Sequence, residues 1–228
     1  MCAKPKSPAQ VLGDDQYCSA QVMSSDLKRL DLRAREQLMQ RTRADLCPGV
    51  LRPWVADDGL LVPLTKDLVI HPDLVRASAT ALRAGAPILC DATMVATGVT
   101  AGRLPAGNDV HRFLHDAQVP ALARTWSTTR TAAAGSLCEP LMGGSVVAIG
   151  NAPTALFHLL EMLVDGAPRP AAIIGGPVGF IGAQESKDAL ISFADDHGID
   201  VPYVTIRGRR GGSAIASSAL NALASEVE

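Results

Sequence analysis

A short apolar run that turns straight into a helix is the feature that most constrains this chain, and residues 145–160, SVVAIGNAPTALFHLL, show it most clearly. Val146, Val147, Ala148 and Ile149 carry no polar break, as in a strand covered on both faces, and Gly150 ends the run. Helical spacing follows at once. Leu156, Phe157, Leu160 and Leu163 recur at three and four, Pro153 suits a first turn, and Asn151 is a good N-cap. A strand that becomes a helix this abruptly leaves the first helical N–H groups aimed out of the carboxyl edge of the sheet, where anions are favoured.

The same unit recurs. Residues 171–174 are apolar and closed by Gly175, Gly176 and Pro177, with helical spacing over 183–194. Residues 203–206 run into Arg207, Gly208, Arg209, Arg210, Gly211 and Gly212, then a small-residue helix over 213–223. Upstream, residues 87–90 form a fourth such strand and lead into Asp91, Ala92, Thr93 and Met94. Strands alternating with helices predict right-handed βαβ units, hence an α/β fold with a mostly parallel, doubly wound sheet in three layers, α/β/α, as a single domain. Ligands of such sheets bind at the carboxyl ends of the strands.

Elsewhere the pattern is weaker. Residues 1–20 lack period and read as a loose lead-in, with the domain proper over 21–228. An amphipathic helix is expected over 24–45. Residues 50–70 read as loop, with a short strand at 60–62. His71, Pro72 and Asp73 open a helix through Ala84 that Gly85 closes. Residues 91–100 are polar and small. Residues 110–114, VHRFL, alternate as a fifth, edge strand, and 119–141 read as one helix.

At 228 residues one α/β core suffices. A net charge of -2 gives no basic field for nucleic acid or an anionic membrane, and no apolar run is long enough to span a bilayer. The N-terminus has no signal-peptide pattern, so a cytoplasmic location is expected. The five cysteines form no C-x-x-C pair, and the histidines do not cluster for a metal.

Several motifs bear on chemistry. The loop 175–182 is glycine-rich without being G-x-G-x-x-G, so its glycines offer backbone to a large ligand rather than a dinucleotide fingerprint. Arg130 lies among small residues in TTRTAAAG, where a long cation either holds a carboxylate bidentately or is simply solvated. Arg207, Arg209 and Arg210 beside Gly211 and Gly212 are either a polyanion site or a solvated basic loop. No nucleophile elbow is present, and Cys90 has no histidine near it in the pattern.

Six segments, DATMVATGVT, GRLPAGNDV, TTRTAAAG, VVAIGNAPTAL, GGPVGFIGAQESKDAL and GRRGGSAIASSALNAL, resemble in this order the precorrin-8X methylmutase family of cobalamin biosynthesis, across residues 67–224. The resemblance implies an α/β/α homodimer that binds a corrin-type tetrapyrrole near the subunit interface and moves a methyl group from C11 to C12, giving hydrogenobyrinate or its cobalt analogue. It implies no cofactor, since such a shift needs only an acid and a rigid pocket. By similarity, Arg130 and Thr131 match the substrate-contacting Arg-Thr pair, and Asp91, Thr93 and Met94 the segment lining the pocket. Asn151, Gly175, Gly176 and Arg209 complete the expected substrate-binding set.

The family's catalytic histidine stands about ten residues before the segment matching Asp67 and Leu68. Here that region reads WVADDGLLVPL and places Asp57 or Asp58 near the position. A carboxylic acid buried against the macrocycle can serve as the proton donor. His71, at a helix start, reads as a cap. A catalytically silent tetrapyrrole binder and an unrelated Rossmann-like nucleotide-binding protein are the competing readings.

Overall fold

The computed structural model describes residues 67–225. The expected helix over 24–45, the strand at 60–62, the loose segment 1–20 and both Asp57 and Asp58 lie outside the described residues. Six strands form one sheet: β1 (Leu68–Ile70), β2 (Ile88–Cys90), β3 (Val110–His111), β4 (Val146–Ile149), β5 (Ala172–Gly175) and β6 (Tyr203–Ile206). Their spatial order is β1-β6-β5-β4-β2-β3. β1 pairs antiparallel with β6, and every other pair is parallel. Eight α-helices are described: α1 (Leu74–Arg83), α2 (Thr93–Gly98), α3 (Val119–Thr125), α4 (Arg130–Ser136), α5 (Glu139–Met142), α6 (Pro153–Val164), α7 (Ala183–His197) and α8 (Ser213–Ala224).

The three-layer arrangement follows from the central strands β2, β4 and β5, which carry no polar side chain. Alternation sends Val146 and Ala148 of β4 into the core cluster with Leu74, Leu82 and Leu220, under α1 and α8, while Val147 and Ile149 join Leu156, Leu160 and Leu190 under α6 and α7. β2 and β5 split the same way: Ile88, Cys90, Ala172 and Ile174 face one layer, Leu89 and Ile173 the other. Each fully buried leucine contributes on the order of 2 kcal/mol relative to exposure. The expected α/β/α fold is therefore the fold observed.

Three local expectations differ. β1 replaces the loop read over 50–70 at its last residues; it is a three-residue edge strand, half-buried throughout, whose apolar run Leu68, Val69 and Ile70 is too short to show a period. Residues 119–141 are three helices rather than one. The chain leaves α3 at Trp126, passes Ser127 at φ 51° and restarts at Thr129, whose side chain accepts from the Ala132 N–H at 3.2 Å. A run of Ser and Thr offers the backbone local partners that compete with helix continuation, and Pro140 marks the next restart at α5. VHRFL is a strand only over Val110–His111. Residues 93–98, within the polar, small stretch 91–100, form α2.

Candidate functional site

Parallel pairing brings the ends of β2, β4, β5 and β6 to one rim, so the four strand-to-helix turns are neighbours. β1 runs the opposite way, and Asp67 at its start accepts from the Arg207 N–H at 2.7 Å on that same rim. After β2 the chain turns to α2, which packs with α8. After β4 it turns to α6, on the opposite face with α7. Between β2 and β4 the connections thus diverge, which opens the crevice where a sheet of this kind takes its ligand.

Asp91 bridges that crevice. One carboxylate oxygen, Oδ1, accepts from the Gly150 N–H at 3.0 Å, and the other, Oδ2, accepts from the Asn151 and Ala152 N–H groups, each at 2.9 Å. These amides precede α6, whose N-cap position is Ala152 with no side-chain cap. Asn151 is therefore not the N-cap its sequence position promised; its side chain is exposed and the capping charge arrives from sixty residues upstream. Burial pushes the Asp91 carboxyl above its ordinary value, and the three N–H donors offset part of that rise.

The β5 and β6 side is closed differently. Gly176 N–H donates to the Ile149 carbonyl at 2.7 Å, Gly212 N–H to the Gly176 carbonyl at 2.8 Å, and Gly179 N–H to the Arg209 carbonyl at 3.3 Å. A Cβ on Gly211 would strike the Gly176 and Pro177 carbonyl oxygens. A Cβ on Gly175 would lie 2.5 Å from Leu190 Cδ2, so that glycine makes room for α7. The expectation that the glycines of 175–182 open backbone to a ligand is corrected at Gly175, which, like Gly211 across from it, lets the protein close on itself. What faces outward are the side chains of Arg207, Arg209 and Arg210, the Arg209 guanidinium standing 5.5 Å from the Phe180 ring centroid. Ile181 is 92% exposed beside them.

On the α4 and α6 side, three hydroxyls form a triangle: Thr129 to Thr131 at 3.1 Å, Thr129 to Thr154 at 3.0 Å and Thr131 to Thr154 at 2.9 Å. Arg130 between them is exposed, with one Nη2 contact of 3.5 Å to the Leu114 carbonyl. Thr154, in the first turn of α6, joins Thr131 here and was not singled out from sequence; its position directly after Pro153 at a helix start was the available signal. Thr93 Oγ1 is buried without a hydrogen-bond partner, and its neighbour Met94 is 73% exposed. Beneath Asp91 and Thr131 lies an apolar cavity of about 40 Å³, large enough for a water and far too small for a macrocycle.

The structure brings Asp91, Thr93, Met94, Thr131 and Asn151 to one half of this rim and Gly175, Gly176 and Arg209 to the adjoining half. His71 is on the opposite rim: its N–H donates to the Tyr203 carbonyl, its Nδ1 accepts from the Asp73 N–H at 3.1 Å and its Nε2 lies 3.1 Å from Asp200 Oδ1. It holds the start of α1. Burial pushes the Cys90 and Cys138 thiols up to about 12, which keeps both protonated and unreactive at neutral pH. Among the described residues no group of three or more His, Cys, Asp or Glu could hold a metal ion, and no helix is long and apolar enough to cross a membrane.

The family model described as precorrin-8X methylmutase matches residues 61–226. The chain belongs to the precorrin-8X methylmutase family. A Sinorhizobium protein named precorrin-8X methylmutase is 59% identical over 163 residues, 72% of this chain and 76% of that one. A Pseudomonas aeruginosa protein of the same name is 57% identical over 168 residues, 74% and 79% of the two chains. Among solved structures, the precorrin-8X methylmutase of Thermus thermophilus superposes with a TM-score of 0.62 at 37% identity, covering 73% of this chain and 79% of that one. The methylmutase span includes the whole rim and begins after Asp57 and Asp58.

Proposed function

We propose that this protein is an isomerase that moves a methyl group from C11 to C12 of precorrin-8X to give hydrogenobyrinate in cobalamin biosynthesis. The bond from the methyl carbon to C11 breaks as its bond to C12 forms, so the protein has to protonate the ring system and hold it still, with no electron to supply. The observation that carries the reading is the rim itself: four turns braced from within the protein, with Arg130 and Arg209 exposed on it, the Thr131 hydroxyl in its threonine triangle and the unpartnered Thr93 hydroxyl beneath. Guanidinium groups spread over such a surface suit a planar ligand bearing carboxylates on its periphery, and the exposed apolar Met94, Phe180 and Ile181 suit its ring faces.

In this reading Arg130 and Arg209 pair with peripheral carboxylates, Thr131, Thr93, Met94 and Asn151 line the crevice, and Asp91, Gly175 and Gly176 act by shaping it. Asp57 or Asp58 donates the proton. The working form is a homodimer in the cytoplasm, in keeping with the free thiols of Cys90 and Cys138, with residues 21–228 as one methylmutase-like unit.

The test is direct. Purified protein given precorrin-8X should change the absorption spectrum to that of hydrogenobyrinate, and Asp57→Ala with Asp58→Ala should abolish the change. An unchanged spectrum with tight binding would instead establish a silent tetrapyrrole carrier. Arg130→Ala should weaken hydrogenobyrinate binding by about 1–3 kcal/mol, the usual loss for a charge-assisted hydrogen bond; wild-type affinity in that variant would remove Arg130 from the site.

A further inference from the structure

Lys187 is fully buried, at 0% exposure. It stands in the second turn of α7, on the stripe that buries Ala183, Ser186 and Leu190. A helix facing a core normally carries an apolar residue there, because enclosing an ammonium is unfavourable unless it is hydrogen-bonded. The Lys187 Nζ donates to the backbone carbonyl of Arg210 at 2.6 Å. That carbonyl belongs to the turn after β6, between Arg209 and Gly211. The same turn is gripped from above by the Gly179 N–H on the Arg209 carbonyl and by the Gly212 N–H on the Gly176 carbonyl, and Gly211 lies too close to Gly176 and Pro177 to admit a side chain.

We propose that Lys187 is the positioning residue of the binding rim: its buried amine pins the turn 207–212 against the turn 176–182, and so presents the Arg209 and Arg210 guanidinium groups outward as a fixed pair of carboxylate receptors. Lys187 itself is sealed from the rim surface and acts through the backbone it holds. Without it, the Arg210 carbonyl loses its buried donor, the turn swings, and the arginines must be ordered each time a polyanion binds, which weakens binding and leaves the chemical step unchanged. Burial lowers the Lys187 amine to about 8, so near neutral pH it is still mostly the ammonium, the better donor to a carbonyl.

This inference rests on the tetrapyrrole reading for its ligand, and its test separates the two. Full-length wild type, Lys187→Met and Lys187→Gln are compared for KM and kcat with precorrin-8X, for hydrogenobyrinate affinity, and for hydrogen exchange at the Gly179 and Gly212 amides. Lys187→Met should raise KM and the hydrogenobyrinate Kd about tenfold, the loss expected of one charge-assisted hydrogen bond, with kcat within about twofold and with both amides exchanging faster. Lys187→Gln, which keeps a donor, should lie between. Adding Arg209→Ala to Lys187→Met should cost less than Arg209→Ala costs alone, because the arginine has already lost its fixed position. Where Lys187→Met does not fold, the Lys187→Gln comparison decides on the same readouts. Unchanged KM and unchanged exchange would overturn the inference, as would a fall in kcat at constant KM. Wild type that binds no tetrapyrrole would instead overturn the functional reading, and the exchange data would still decide whether Lys187 holds the turn.

Discussion

The two halves of the binding rim solve the same problem with opposite charges. On the β2 and β4 side, the backbone left over where a strand meets a helix is a set of N–H groups, and a carboxylate, Asp91, collects three of them. On the β5 and β6 side, the turn leaves a carbonyl facing inward, and an ammonium, Lys187, takes it. Asp91 reaches across the crevice where the connections diverge. Lys187 comes from beneath, out of a helix face that otherwise buries Ala183, Ser186, Leu190 and Phe193. The comparison shows why the rim can carry outward arginines and threonines: the backbone that positions them is satisfied from within and asks nothing of the ligand.

The largest effect should come from the side with more donors to lose. Asp91→Ala leaves three N–H groups ahead of α6 without their acceptor, and should destabilise the fold by about 3 kcal/mol, read from urea unfolding. Asp91→Asn retains one carbonyl oxygen and should cost about half as much. Equal stability in Asp91→Ala would mean that water replaces the carboxylate without penalty, and the contrast between the halves would fail.

Lys187 makes a smaller prediction with a definite sign. Its folded value is lowered to about 8 from 10.5, so between those pH values the unfolded chain keeps a proton that the folded chain has released. Stability from this group therefore rises with pH across that window. The gain should be about 2 kcal/mol at its upper end. The difference between wild type and Lys187→Met isolates it, since burial raises Tyr203, Cys90 and Cys138 in both proteins and drives their contribution the other way. A flat difference curve from pH 8 to pH 10.5 would show that the amine is solvated in the folded state.

Neither brace was visible in the sequence as a brace. The strands that carry the rim were legible, because β2, β4 and β5 are apolar without interruption, β6 is broken only by Thr205, and each is followed by a helical period. That much is local, and local chemistry settled it. β1 left a fainter mark: Leu68, Val69 and Ile70 are apolar, but three residues between Asp67 and His71 set no period, and the strand exists only where β6 pairs with it. The break between α3 and α4 leaves little local mark because small residues suit a helix, and it shows only in the positive φ of Ser127 and in the Thr129 side chain that caps α4. Asp91 stood out as a site residue through resemblance, but its partners are sixty residues away. Lys187 carries no local mark in ESKDAL. Its register with Ala183 and Leu190 was the signal, and only the turn after β6 explains why a charge belongs there. Asp57 and Asp58, outside the described residues, remain assigned by the proposal alone.

The smallest predicted effect bears on the same lesson. Asn151 has the residue type and the position of an N-cap, and truncating a true Asn cap costs about 1 kcal/mol. In the structure the cap position is Ala152, the Asn151 side chain is exposed, and its backbone N–H rather than its amide is what Asp91 engages. Asn151→Ala keeps that N–H. It should therefore change stability by less than about 0.5 kcal/mol, the usual range for a surface substitution, while any weakening of hydrogenobyrinate binding would report a contact to ligand and not a lost cap. A loss near 1 kcal/mol in the unliganded protein would instead mean that the side chain caps α6 in solution, with Asp91 sharing a task that the geometry assigns to it alone.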